Sequence, residues 1–200
     1  MTLVDVLRFP LPGWLQIALP LNPDFSTPEA RMRLVVDLAH RNVERGTGGP
    51  FGAAVFEMDS HRLVAVGVNI VEQSLWSGGH AEMVALALAQ QKLRTYDLGG
   101  ADMPAHELVS STEPCVMCLG ATLWSGVRRL VCGARDADAR AIGFDEGPKP
   151  QDWAAELEAR GVQVVRDVLR PEAKAVLDLY AQRGGTIYNG RRGDEALARA

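Results

Sequence analysis

A chain of 200 residues with 47% hydrophobic content is long enough for one domain with a sizeable core. Its net charge of −4 and pI near 5.6 argue against a strongly basic surface, so a long nucleic-acid polyanion is a poor partner and a small uncharged substrate fits better. Three cysteines without an export signal suggest a reducing compartment, so the protein is expected to be cytoplasmic.

Residues 1–27 read as an N-terminal extension. Leu3 to Leu21 is apolar but lacks a basic leader, and Pro10, Pro12 and Pro20 interrupt any helix, which argues against a signal peptide or a membrane span. Phe9, Trp14, Leu15 and Ile17 need cover, either along their own domain or by clasping a second subunit. Thr27 and Pro28 then start a helix, Met32, Val35, Val36 and Ala39 recur at helical spacing, and Gly46 stops it. Gly46 to Gly52 is a loop leading into a strand at 53–56; no Gly-Lys-Ser/Thr follows, so it is not a phosphate loop. A turn near Asp59-Ser60-His61, with His61 solvated, leads to a second strand, Leu63 to Val68, which ends at Asn69. On general grounds Asn69 is an ordinary turn residue.

Val71 to Gly79 reads as a loop, in which Trp76 either walls a pocket or covers the core. A helix runs from His80 to about Leu93, and a strand at 107–111 follows His106. A second helix starts beside Cys115 and ends around Ser125-Gly126. Strand Arg128 to Ala134 carries Cys132 as a packed free thiol. Arg140 to Pro148 reads on its own as a surface loop with solvated acids. Trp153 to Ala159 is helical, Val162 to Val165 a fifth strand, and Pro171 opens a last helix. The order predicts an α/β fold, a three-layer α/β/α domain at 28–185 with a mixed five-stranded sheet, followed by a C-terminal tail at 186–200.

Three residues in this framework carry metal chemistry. His80, Cys115 and Cys118 offer the nitrogen and sulfur donors that zinc takes in tetrahedral geometry, and a catalytic zinc keeps three protein ligands with a fourth position for water. Both thiols fall at a helix start, where unpaired N–H groups and the macrodipole favour thiolate. Glu82, two positions beyond His80, turns to another side of its helix, where it reaches a metal-bound water without binding the metal. Zinc brings the pKa of bound water to about 7, and a nearby carboxylate can move that proton to a leaving amine. A structural zinc site would want a fourth Cys or His beside this set, and none is there.

His80-Ala81-Glu82 followed by Pro114-Cys115-Val116-Met117-Cys118 resembles the H-x-E…P-C-x-x-C signature of the cytidine and nucleotide deaminase superfamily. From about residue 28 to 190 the chain is similar to the free-base branch of that superfamily, the bacterial guanine deaminases. The resemblance implies a cytidine-deaminase-like fold, a Zn2+ cofactor, and hydrolysis of guanine to xanthine and ammonia, with ammeline as a candidate side substrate. It also implies substrate-binding roles. Phe51, in Gly-Pro-Phe-Gly, would line the pocket and Asn69 would read the base. Phe144 would stack on it, while Glu146 or Asp145 accepts ring or exocyclic N–H groups. Glu113 would hydrogen-bond backbone near the metal. Tyr188 would reach in from a C-terminal lid, commonly that of a partner, in a homodimer exchanged through this segment. The rivals are a tRNA adenosine deaminase, which needs a basic surface, a cytosine deaminase with the same zinc chemistry, and a zinc-stabilised scaffold, which has no use for Glu82.

Overall fold

The computed structural model describes residues 8–16 and 24–190. A 3-10 turn at Gly13–Gln16 precedes helix α1 (Pro28–Glu44). Thr27 caps α1, its hydroxyl oxygen accepting from Ala30 N at 3.1 Å, and Pro28 sits in the first turn, where a missing N–H costs nothing. Then follow β1 (Gly52–Glu57), β2 (Leu63–Val68), α2 (Val71–Ser74), α3 (Ala81–Leu93), β3 (His106–Thr112), α4 (Val116–Trp124), β4 (Arg129–Ala134), α5 (Asp136–Ala141), α6 (Trp153–Glu158), β5 (Gln163–Val165) and α7 (Arg170–Gln182). The sheet has the order β2-β1-β3-β4-β5. β1 is antiparallel to both neighbours, while β3, β4 and β5 run parallel, so the sheet is mixed and five-stranded as expected.

Alternating side chains assign the layers. Ala53 and Val55 of β1 face a core with Ala81, Ala85, Leu119 and Leu157, whereas Ala54 and Phe56 face Met32, Val35 and Leu38. β3 and β4 repeat this, with Leu108 and Leu130 on the first side and Val109 and Val131 on the second. β3, covered on both faces, is buried along its whole length although only Leu108 and Val109 are apolar. Helices α3, α4 and α6 therefore cover one face, and α1 with α7 the other. No helix among the described residues is long and apolar enough to cross a membrane.

One buried ion cluster ties α1 to the sheet. Glu107, at the start of β3 and fully buried, lies 2.5 Å from Arg31 Nε and 2.6 Å from Arg129 Nε. Arg31 is itself buried and also donates to Phe25 O at 2.5 Å. Breaking a buried pair leaves an uncompensated charge, so Arg31→Met should cost about 3 kcal/mol even with Arg129 in place. Urea unfolding checks this; a loss below about 1 kcal/mol would mean that Arg129 alone satisfies Glu107.

Four local expectations are corrected or resolved. Val71 to Gly79 is not all loop: Val71–Ser74 form the short helix α2, whose first N–H donates to Asn69 Oδ1 at 3.2 Å. Helix α5 takes in Arg140 and Ala141, the first two residues of the stretch read as a loop, with Asp138 accepting from Arg135 N at 2.8 Å and ion-paired to Arg170. His61 is half-buried rather than solvated, its Nδ1 3.3 Å from Arg31 Nη1. The described part of the extension packs on its own domain: Leu15 is buried, and Phe9 stacks on Trp76 at 4.4 Å, so Trp76 serves as cover. Ile17 and Pro20 lie outside the described residues.

Candidate active site

The strand ends that share one edge of the sheet assemble a cavity. Gly52 pairs with Val68 and Thr112 with Ala134, so Phe51 before β1, Asn69 after β2 and Glu113-Pro114-Cys115 after β3 emerge together. His80 is the N-cap of α3 and Cys115 that of α4, so two helix starts meet at this edge. Pro114 stands one position ahead of the cap rather than inside the first turn. The cavity measures about 250 Å³, at the small end for ligand pockets.

His80 Nδ1 lies 3.5 Å from Cys115 Sγ and 3.6 Å from Cys118 Sγ, and the three ligand atoms fall within 4.8 Å of one another. Tetrahedral zinc with Zn–S of about 2.3 Å and Zn–N of about 2.1 Å sets such donors about 3.6 Å apart, so the trio fits the ion. Its protonation fits too. The Cys118 hydrogen bond and His80 hold the Cys115 thiol down to about 4 against burial. The Cys118 thiol is pushed up by its bond to Cys115 and by burial. Burial alone would lower the pKa of His80, but the contact with Cys115 and the charges of Cys115, Glu82 and Glu146 outweigh it and raise the value. A divalent cation replaces protons on His80 and Cys118 and finds Cys115 already a thiolate.

Glu82, 6% exposed, lines the cavity beside this trio. Burial and the charge of Cys115 raise its pKa, the direction that brings a carboxyl nearer to exchanging a proton at neutral pH. Glu146, also 6% exposed, is pushed up to about 8 by burial and by Cys115, Glu82 and Asp136. Asp145, which also lines the cavity, is turned differently: its side chain is exposed, accepts from Gly147 N at 2.9 Å and faces Arg140, so it shapes the loop.

The remaining sequence candidates line the same cavity. Asn69 is 1% exposed, and its Nδ2 has no hydrogen-bond partner among the described residues. The Tyr188 hydroxyl is likewise buried without a partner, and burial raises its pKa. Phe144 packs edge-on against Phe51 at 5.1 Å and at a tilt against Tyr188 at 5.0 Å. Tyr188, Asn189 and Gly190 therefore lie over this chain's own pocket. Glu113 accepts from Asp136 N at 3.0 Å and from Arg166 at 2.6 Å, a buried brace behind the metal ligands.

Sequence reasoning missed the residues that hold these parts in place. Asn189 bridges the tail to the Phe144 loop, donating to Gly143 O and accepting from Asp145 N, both at 2.9 Å. Lys149 donates to Pro114 O and pairs with Asp136, both at 2.8 Å. Asn42, on α1, donates to the main chain at Gly49 and Asn69. An Asn next to the candidate tyrosine was a signal for the first; nothing in the sequence distinguishes the other two from surface residues.

The sequence profile of the cytidine and deoxycytidylate deaminase zinc-binding region matches residues 26–134. The chain is 36% identical over 118 residues to guanine deaminase of Bacillus subtilis, an alignment covering 59% of this chain and 71% of that protein. It superposes on the structure of guanine deaminase from Nitrosomonas europaea with a TM-score of 0.85 at 49% identity, covering 91% of this chain and 100% of the other. A variant of the protein NE0047 in complex with 8-azaguanine is 51% identical, with a TM-score of 0.84 over 89% of this chain and 98% of that one. By its metal trio, by the carboxyl beside it and by more than half its length, this chain belongs to the cytidine and deoxycytidylate deaminase family, the zinc-dependent hydrolytic deaminases.

Proposed function

We propose that this protein hydrolyses free guanine to xanthine and ammonia, with ammeline as a side substrate. The carrying observation is the small cavity that joins the metal trio to a buried acid, Glu146, and an unpartnered donor, Asn69 Nδ2, beneath the chain's own tail. Guanine presents donors at N1 and N2 for the acid and ring acceptors for the amide. Zinc, when bound by His80, Cys115 and Cys118, supplies an acidified water next to the base. Glu82 would take one proton from the attacking water as its oxygen bonds to C2, and would give that proton to the amine nitrogen as the C2–N bond breaks and ammonia leaves, so one carboxyl serves both steps. Phe51 and Phe144 wall the base, Tyr188 covers it, and the closed pocket keeps out bulk water. A cavity roofed by residues 188–190 suits a free base better than a nucleotide within an RNA strand.

Residues 1–27 are read as an extension, 28–185 as the deaminase domain and 186–200 as the lid. Trp124, at the far end of α4 from the pocket-lining Val116 and Met117, is 87% exposed, which supports a homodimer covering it. Tyr188's contact with Phe144 favours each tail closing its own pocket over an exchanged arrangement. Three free thiols support a reducing, cytoplasmic setting.

Ammonia release from zinc-loaded protein tests the reading, with guanine, adenine, cytosine, their nucleosides, ammeline and a tRNA anticodon stem-loop offered in turn. Release from guanine alone, or from guanine and ammeline, is expected. Release only from RNA would replace the free-base reading with the tRNA one, and release only from cytosine would reassign the pocket. Sedimentation of the same sample should give twice the chain mass; a monomer would remove the dimer.

A further inference from the structure

We infer that Trp14, in the segment ahead of the deaminase domain, is a positioning residue for the base-reading end of the pocket, acting through Thr47 and Asn42 on Asn69 and on the Gly48-Gly49 turn. The inference rests on Asn69 as the contact to the base.

The path is a chain of hydrogen bonds whose directions follow from donor inventory. An indole N–H only donates, so Trp14 Nε1 donates to Thr47 Oγ1 at 3.1 Å. Thr47 has one hydroxyl hydrogen left to give, and the nearest acceptor is Asn42 Oδ1 at 2.8 Å, ahead of the Asn42 main-chain oxygen at 3.4 Å. An oxygen at that end of the Asn42 amide orients its NH2 the other way. Its two hydrogens then serve Gly49 O at 2.9 Å and Asn69 O at 2.8 Å. Asn42 is fully buried, so a flipped amide would leave carbonyl oxygen facing carbonyl oxygen with no water to relieve it. Trp14 and Thr47 thus complete, at the oxygen end of the Asn42 amide, the network whose nitrogen end holds both loops.

Those loops have little slack. A Cβ on Gly48, whose φ is +154°, would lie 1.9 Å from Asn69 O, and one on Gly49 would lie 2.2 Å from the Tyr188 hydroxyl oxygen. The glycine turn is thus wedged between the residue that reads the base and the residue that covers it. A shift of the turn moves both. The same extension steadies the other delivering loop, because Phe9 stacks on Trp76 and Trp76 O accepts from Gly79 N at 2.9 Å, one residue before His80.

Steady-state kinetics on guanine with the zinc-loaded full chain test the inference. Trp14→Phe keeps the ring and removes the donor, and Thr47→Val removes the relay. Each should raise KM about 3–10-fold with kcat within about twofold, the pattern of a lost ground-state contact. Thr47→Ser restores the hydroxyl and should keep the original KM, and the Trp14→Phe/Thr47→Val double variant should be no worse than Thr47→Val alone, because the two act in series. Binding of 8-azaguanine should weaken by the same factor. A merely structural role would lower melting temperature and active fraction, hence kcat, and leave KM in place; that result, or an unchanged KM in both variants, overturns the inference. Should Thr47→Val fail to fold, Trp14→Phe decides alone. Asn69→Ala separates the two readings. Unchanged kinetics there sink the base-reading role and this inference with it, whereas damage there beside normal Trp14 and Thr47 variants sinks the inference only.

Discussion

Glu82→Gln should reduce guanine turnover by about 10²–10⁴-fold while zinc content and fold are retained. The substitution keeps the shape of the side chain and removes the ability to carry a proton, so the loss reads proton transfer rather than packing. Glu82 does not belong to the ligand trio, which is why the metal should stay. Its carboxyl is buried and its pKa is raised first by that burial and then by the charge of Cys115. A neutral amide relieves that cost, so the variant should melt at or above the parent temperature. The measurement pairs turnover with zinc analysis and a thermal melt. Turnover within tenfold of the parent, with zinc bound, would remove Glu82 from the mechanism.

Chelation of zinc should abolish turnover entirely, and one equivalent of zinc per chain should restore it. The fold should survive, unlike that of a zinc finger, because α3 and α4 are held to the sheet by Ala81, Ala85 and Leu119 in an apolar core of their own. Stabilisation by a bound metal at about 1,000 times its Kd is about 4 kcal/mol, so the metal-free protein should melt about 10 °C lower. The affinity should rise with pH. In the metal-free site His80 has a raised pKa and the Cys118 thiol is held protonated, so zinc must displace protons that are scarcer at higher pH, while Cys115, down at about 4, is ready across the neutral range. Titrations with zinc at two pH values in two buffers of different ionisation heat measure that release. Cys115→Ser should lose the metal, whereas Cys132→Ala should keep metal and activity, because Cys132 is packed within β4 and is not one of the trio. Zinc affinity independent of pH would contradict the assigned protonation, and full activity without metal would contradict the zinc chemistry.

The parts of the site that were legible in the sequence are those whose spacing alone constrains them. His80 and Glu82 stand at a helix start two residues apart, and Cys115 and Cys118 three apart behind a proline, so each pair's geometry follows from one helix turn. Thr27 with Pro28, and the apolar runs of β1 and β4, are equally local signals. Glu146 shows the limit. Alone it reads as a solvated acid in a loop, but tertiary contacts, among them Val116 N donating to its main-chain oxygen at 3.0 Å and Asn189 bridging to Gly143 and Asp145, carry the loop under cover, where burial lifts its pKa to about 8. Asp145, its neighbour, has the same composition signal and stays exposed.

Residue type, short spacing and the resemblance to a known zinc motif, then, sufficed to pick out His80 with Glu82, the Cys115-Cys118 pair and the α/β/α order, because helix starts and strand alternation are fixed by interactions within a few residues. The three-dimensional fold alone decided which distant groups meet. It set Trp14 on Thr47 and Asn42 on Asn69, latched Asn189 to the Phe144 loop, and closed Glu107 between Arg31 and Arg129. Such contacts join residues far apart along the chain, and a polar side chain's partner depends on where the backbone brings it. Composition and periodicity carry no record of that.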